Sequence, residues 1–348
     1  MRRCALSCSG APASSTKHAA AMHIGHFSAW RLPVERYGGT QRVIYWLAKA
    51  QAEMGHRVTL ISPPGSHCPG VEICEVPKGQ HFESYVPKDL DIAHFSGGRW
   101  VDVDSPYIVT VHGNGNDLVP LPSHVFVSRD HARRAGARAF VHNGIDPDEF
   151  IYRENKDDYL IFLGKLSRPY KGIATSLRLA RQMGFRLLVV GGTRFDLRKT
   201  GGLLDSLRGD VHFLGEVGGR RKAELLAGAR ALLSPISWPE PFGLVVAEAL
   251  MSGTPVITTP YGAMPELITP EVGFLCKNDD DLIDAIKRCG TIDPAACRRH
   301  AMEHFSNHVA ATRYLDYYRR RIAGLPIELG DEDQPTAGFA LAGAKAPC

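Results

Sequence analysis

Pro239-Glu240-Pro241-Phe242-Gly243-Leu244-Val245-Val246-Ala247-Glu248-Ala249-Leu250-Met251-Ser252-Gly253-Thr254-Pro255-Val256-Ile257 decides the fold of this chain. The apolar run before it, residues 231–236, is short enough for a buried parallel strand. Pro239 and Pro241 bar a helix, which puts Glu240 on a loop. A helix can begin only at about Gly243, and the N–H groups of Phe242, Gly243 and Leu244 around its first turn are open to an anion. Glu248 falls inside that helix among valines, alanines and Leu250, where a carboxylate is costly unless something hydrogen-bonds it. Gly253 closes the helix and residues 254–259 start another strand. The unit offers a loop acid, a bare helix N-terminus and a buried acid on one side. That suits a ligand with hydroxyls at both ends and phosphates between. The plainer alternatives are a surface acid at Glu240 and a core ion pair with an arginine at Glu248.

Composition bounds the rest. The chain has 348 residues, 44% of them hydrophobic, which suggests two domains with full cores. A net charge of +4 gives no argument for nucleic acid and is compatible with weak attraction to anionic lipid or phosphorylated substrates. The 8 cysteines form no C-x-x-C pair, so neither zinc spacing nor a disulfide framework is expected, and reduced thiols in a cytoplasmic protein are the plain reading. Residues 1–21 lack the continuous apolar core of a signal peptide and read as a disordered extension or the product of an upstream start. No apolar run approaches the roughly 18 residues that span a bilayer. The acidic, small-residue stretch at 326–348 reads as a disordered tail.

Taken in order, residues 23–28 form a first strand, and Gly38-Gly39-Thr40-Gln41 leads into a helix over 42–50 and a strand over 57–62. This is a βαβ unit whose glycine loop permits close backbone approach to a phosphate. Strands over 90–95 and 106–113 end at His94 and His112, at the carboxyl edge where open sheets take ligands. A strand over 125–130, a basic helix over 131–138 and the turn His142-Asn143-Gly144-Ile145-Asp146-Pro147 follow. The second half opens with a strand over 158–164, then a basic loop with Lys165, Arg168 and Lys171, and a helix from 173 to about 183. A strand over 186–192 ends in Gly191-Gly192, without the G-x-G-x-x-G fingerprint of a dinucleotide site. A strand over 211–217 contains Gly215, and a helix over 220–229 returns to the opening stretch. Beyond it lie a turn with Glu266, a strand over 272–275, and helices over 279–288 and 307–322. The last carries an apolar stripe of Tyr314, Leu315, Tyr317, Tyr318 and Ile322.

The two glutamates with seven residues between them resemble the E-x7-E signature of retaining, GT-B-fold glycosyltransferases of family 4. Residues 142–146 resemble that family's H-N-G-V-D segment. The turn from Gly164-Lys165 to Lys171-Gly172 is similar to its G-R-x4-K-G pattern, with two departures. Lysine replaces arginine at 165, losing the bidentate fork, and the loop is one residue longer, so Arg168 shares the assignment. The resemblance covers about residues 22 to 322. It implies an α/β chain of two Rossmann-like, doubly wound parallel-sheet domains facing a cleft: an acceptor domain at 22–150, a donor domain at 151–305, and a helix at 306–325 packed back on the first.

It further implies a donor nucleotide sugar, UDP- or GDP-type, moved as a hexosyl group to a hydroxyl acceptor with retention and without a bound metal or other cofactor. Glu240, Lys171 and His112 would be catalytic. Gly38, Gly39, Lys165, Arg168, Phe242, Gly243, Leu244, Glu248 and Gly215 would hold the donor, with Glu248 on the ribose, and Gln41 and His94 would meet the acceptor. Peripheral association with the inner face of the plasma membrane, in polysaccharide or lipopolysaccharide synthesis, is a family habit. Alternatives are a nucleotide-sugar 2-epimerase of related fold and a catalytically silent nucleotide-sugar-binding subunit; a dehydrogenase is disfavoured by the missing fingerprint.

Overall fold

The computed structural model describes residues 21–34, 38–98, 100–115 and 120–327. Most of the expected extension and tail lies outside the described residues. Ile327, assigned to the tail, is instead buried in the first domain's core.

Among the described residues the strands form two six-stranded parallel sheets. The first holds β1 (His23–Phe27), β2 (Arg57–Ser62), β3 (Glu72–Glu75), β4 (Ile92–Ser96), β5 (Tyr107–Val111) and β6 (His124–Phe126), in the order β3-β2-β1-β4-β5-β6. The second holds β7 (Leu160–Leu163), β8 (Leu187–Val190), β9 (Val211–Phe213), β10 (Ala231–Ser234), β11 (Val256–Thr258) and β12 (Gly273–Leu275), in the order β12-β11-β10-β7-β8-β9. The central strands of the second sheet, β7 and β10, are almost wholly apolar because helices cover both faces, whereas those of the first bury His26 and His94. In register, Ile24 lies beside Val58 and Ile92, and Leu232 beside Ile161 and Val256.

The helices are α1 (Gly39–Glu53), α2 (Arg129–Arg134), α3 (Ile173–Met183), α4 (Leu197–Thr200), α5 (Leu203–Arg208), α6 (Gly219–Gly228), α7 (Leu244–Met251), α8 (Met264–Leu267), α9 (Asp279–Arg288), α10 (Pro294–Phe305) and α11 (Asn307–Ile322). Some bounds differ from expectation for local reasons. The basic helix starts at Arg129, because the Ser128 side chain accepts from His131 N–H as an N-cap, and ends before Gly136 at φ 73°. The helix α10 was not expected; Asp293 caps it and Pro294 opens it.

The chain crosses between domains twice, and the crossings pair with each other: Ile145 N–H donates to Phe305 O (2.8 Å) and Asn307 N–H to Ile145 O (2.9 Å). After the second crossing α11 lays Tyr314, Leu315, Tyr317 and Tyr318 into the core formed by Ile24, Ile92, Ile108 and Leu47. Loops leaving the carboxyl ends of both sheets meet: Asn114 after β5 donates to Pro239 O (2.8 Å), and Ser128 after β6 to Pro241 O (2.6 Å). No helix among the described residues is long and apolar enough to cross a membrane.

Candidate active site

Two loops of the second domain build the centre. After β7 the chain turns through Pro169–Lys171, and after β10 it runs through Pro235 to Phe242. They touch backbone to backbone: a Cβ on Gly172 would lie 2.1 Å from Pro235 O, and Ser237 N–H donates to Tyr170 O at 2.9 Å. Only glycine permits this approach, and its φ of 84° also starts α3. The contact brings the Lys171 ammonium onto Glu240 Oε2, which also accepts from Trp238 Nε1–H at 2.8 Å. Lys171 sits 4.9 Å above the Trp238 ring, itself packed against Tyr170 at 4.5 Å. Behind Glu240, Ala263 N–H donates to its carbonyl (2.9 Å), and Gly262 leaves no room for a Cβ, which would lie 2.3 Å from Glu240 N and O.

Gly243, at φ 94°, turns the chain into α7 as its N-cap, so the N–H groups at the start of that helix lack helical acceptors. Phe242 is buried against His142 and Phe305 at the domain crossing. Glu248 is 4% exposed, and its Oε1 accepts from Lys222 Nζ at 2.6 Å. The core partner is thus a lysine from α6, not an arginine. Sequence reasoning missed Lys222 and Trp238. The signal for Lys222 was present: it stands three and four residues before the buried Leu225 and Leu226, on the apolar face of α6.

Across from α7 sits the glycine loop of the first domain. A Cβ on Gly39 would meet Leu244 Cδ1 at 2.9 Å, so the start of α1 faces the start of α7. Gly38 caps α1 with φ 154°, and Gln41 Oε1 lies 2.8 Å from where its Cβ would be. The helix therefore begins at Gly39, not Arg42. His112 follows β5; its Nε2 is sealed from solvent with no hydrogen-bond partner. Burial, with His131 beside it, pushes its pKa down to about 4, so it is a neutral imidazole at pH 7.

Other expected residues fall elsewhere. His94 is in the first domain's core, 2% exposed, with Nδ1 on Tyr318 Oη (2.5 Å) and Nε2 on Thr110 Oγ1 (2.7 Å). Its position corrects the acceptor assignment: both ring nitrogens are used by α11 and β5, and none is left for a ligand. Lys165 and Arg168 are exposed on the turn before Lys171. Gly215 offers its carbonyl to Gly191 N–H (2.8 Å), while Gly191 crosses Gly164 so closely that a Cβ would lie 2.2 Å from Gly164 O. These glycines draw the ends of β7, β8 and β9 together beside the basic turn. Glu266 braces the rim: it accepts from Arg129 N–H (2.8 Å), Asp130 N–H (2.6 Å) and His142 Nε2 (3.0 Å), tying the second domain to the start of α2.

Comparison with known proteins bears on the fold and on the kind of reaction. Residues 145–299 match the family model described as glycosyl transferases group 1. The phosphatidyl-myo-inositol mannosyltransferase of Mycolicibacterium smegmatis is 27% identical over 259 residues, covering 69% of this chain and 62% of that protein. Its namesake in Mycobacterium tuberculosis is 26% identical over 320 residues, covering 74% and 83%. The crystal structure of AviGT4, a glycosyltransferase involved in avilamycin A biosynthesis, superposes with a TM-score of 0.74 at 26% identity, over 87% of this chain and 98% of that one. The chain therefore has the two-domain GT-B fold, and its similarities lie with enzymes of glycosyl transfer.

Proposed function

We propose that the chain transfers a hexosyl group from a nucleotide diphosphate sugar to a hydroxyl acceptor, with retention of anomeric configuration. The observation that carries this reading is the Lys171–Glu240 pair, clamped by Trp238 beside the start of α7 and opposite Gly39. A diphosphate entering over the basic turn draws Lys171 off Glu240, since it offers more charge and more acceptor oxygens. Glu240 is then free to accept from hydroxyls of the donor sugar, while N–H groups of Phe242, Gly243 and Leu244 orient sugar and phosphate.

As the glycosidic bond breaks, negative charge grows on the leaving diphosphate. Lys171, with Arg168 and Lys165 on the same turn, is placed to stabilise it there. This supplies the charge neutralisation without a metal or organic cofactor. Glu248 takes the ribose hydroxyls while Lys222 holds its carboxylate in place. His112, whose Nε2 is sealed from solvent, assists at the sugar through its backbone carbonyl. The acceptor hydroxyl enters on the leaving group's face from the first domain, where Gln41 borders the glycine loop. Closure of the cleft excludes water.

The similarity to two mannosyltransferases makes a mannosyl donor the first to test. Action at the cytoplasmic side, in glycolipid or polysaccharide assembly, belongs to the same reading. The test is a thermal-shift and hydrolysis screen of UDP-, GDP-, ADP- and dTDP-sugars on the wild type, Glu240→Ala and Lys171→Ala. One donor should stabilise the wild type, stabilise Lys171→Ala less, and be hydrolysed slowly by the wild type alone. Stabilisation without any turnover to acceptor or water would instead favour a silent binding subunit, and C2 inversion of the free donor the epimerase.

A further inference from the structure

We propose that Ser128, Asn114 and Arg134 of the first domain are positioning residues for Glu240, so that the approach of the two domains and the setting of its carboxylate are one event. This rests on the transfer reading, in which Glu240 meets the donor sugar. Glu240 stands between two prolines, which have no N–H, so the backbone of residues 239 and 241 can be held only by its carbonyls. Pro241 also favours an extended backbone at Glu240, in which successive carbonyls face opposite sides. Here they divide between the domains. The Glu240 carbonyl takes the Ala263 N–H of its own domain at 2.9 Å. The carbonyls on either side take first-domain side chains. Pro239 O accepts from Asn114 Nδ2 at 2.8 Å and from Arg134 Nη2 at 3.4 Å, and Pro241 O accepts from Ser128 Oγ at 2.6 Å.

The three first-domain residues form one unit. Ser128 is the buried N-cap of α2, and Arg134 is that helix's last residue. Arg134 Nη1 donates to Asn114 Oδ1 at 2.9 Å while its Nε donates to Asp130 Oδ2 at 2.6 Å. His131 of the same helix has its Nε2 3.2 Å from Gly113 O, next to Asn114. From the other side Glu266, three residues past Ala263, accepts the N–H groups of Arg129 and Asp130. The helix α2 and the Glu240 loop thus grip each other in both directions. Pro241 is buried with Ser128 as its carbonyl's partner, and a buried acceptor is costly to leave unpaired. The grip matters most during the reaction. With Lys171 drawn to the diphosphate, Trp238 alone remains of the two side chains that hold the carboxylate, and the backbone beneath sets its direction. A misplacement of about 1 Å at such a group costs up to about 100-fold in rate.

The test joins two measurements on the full chain: hydrolysis of whichever UDP-, GDP-, ADP- or dTDP-sugar the wild type accepts, and amide exchange over residues 236–248 read by mass spectrometry. Asn114→Ala and Ser128→Ala should each lower kcat by at least ~10-fold and move donor KM by under ~2-fold. Ser128→Thr, which keeps the hydroxyl, should restore kcat. In a Glu240→Gln background, adding Asn114→Ala should lower kcat by under ~2-fold, because the group it acts through is already altered. Residues 236–248 should exchange faster in both alanine variants, while β1 and β7 keep their wild-type rates. An unchanged kcat, a loss of ~10-fold that persists in Glu240→Gln, or exchange at 236–248 that neither variant moves would overturn the proposal. A wild type that hydrolyses none of these donors would sink the transfer reading instead, and the exchange rates would still decide whether the first domain holds the loop.

Discussion

Lys222 and Glu248 face each other across the α6–α7 interface at 2.6 Å, with side-chain exposures of 9% and 5%. Replacing Lys222 by methionine keeps the chain's volume and leaves a carboxylate in an apolar site. Removing one member of such a buried pair costs about 3–5 kcal/mol, whereas an apolar replacement of both is close to neutral. Lys222→Met and Glu248→Leu should each lose a sum in that range by urea unfolding followed by far-ultraviolet circular dichroism. The double variant should recover at least ~2 kcal/mol relative to either single. A single variant losing under ~1 kcal/mol, or a double that loses the sum of both, would refute the reasoning. The double variant also separates two duties of Glu248. If its carboxylate holds the ribose, this folded protein gives no thermal shift with the donor that stabilises the wild type.

Gly172→Ala should destabilise by more than ~3 kcal/mol and abolish donor hydrolysis, because its Cβ meets the Pro235 carbonyl at a positive φ. Gly39→Ala meets only the end of the Leu244 side chain, so thermal unfolding should move by under ~1 kcal/mol while the donor binds more weakly. Burial holds His26, His112 and His131 at about 4 against 6.5, so the unfolded chain takes up their protons first as pH falls. Unfolding free energy should therefore be intact near neutrality and fall between pH 6.5 and 4, by up to ~1.4 kcal/mol per pH unit for each histidine. A flat profile over that window in urea titrations would count against it. Glu266→Ala removes the acceptor for two N–H groups of α2 and should cost ~1 kcal/mol, with faster amide exchange at Arg129 and Asp130.

Local chemistry made the centre of the second domain readable. Two prolines and a glycine leave few conformations for residues 239–243, and the apolar runs on either side are strands by length alone. Non-local pairing hid the rest. Lys222 carries its meaning only once α6 packs on α7, and Glu266 spends its oxygens on backbone groups of another domain. His94 and His112 look alike in sequence, each read as ending an apolar strand, but His94 lies within β4 and His112 follows β5. The difference is made by Tyr318, far along the chain, which reaches one and not the other. The helix α10 escaped notice because its buried positions, Cys297, Ala301 and Phe305, sit among arginines and histidines and form a thin stripe. The seven-residue spacing of the glutamates says nothing of Lys222, the lysine of the same domain that holds Glu248.

The return of α11 to the first domain orders events on the ribosome. The tyrosines that complete that domain's core emerge only after every residue of the second domain has been made. The earlier-synthesised half must therefore wait, with the apolar surface around Ile24, Ile92 and Ile108 uncovered, while the later half has all its strands and can close. A nascent chain stalled before Asn307 should hold a folded second domain and a first domain that proteases still cut.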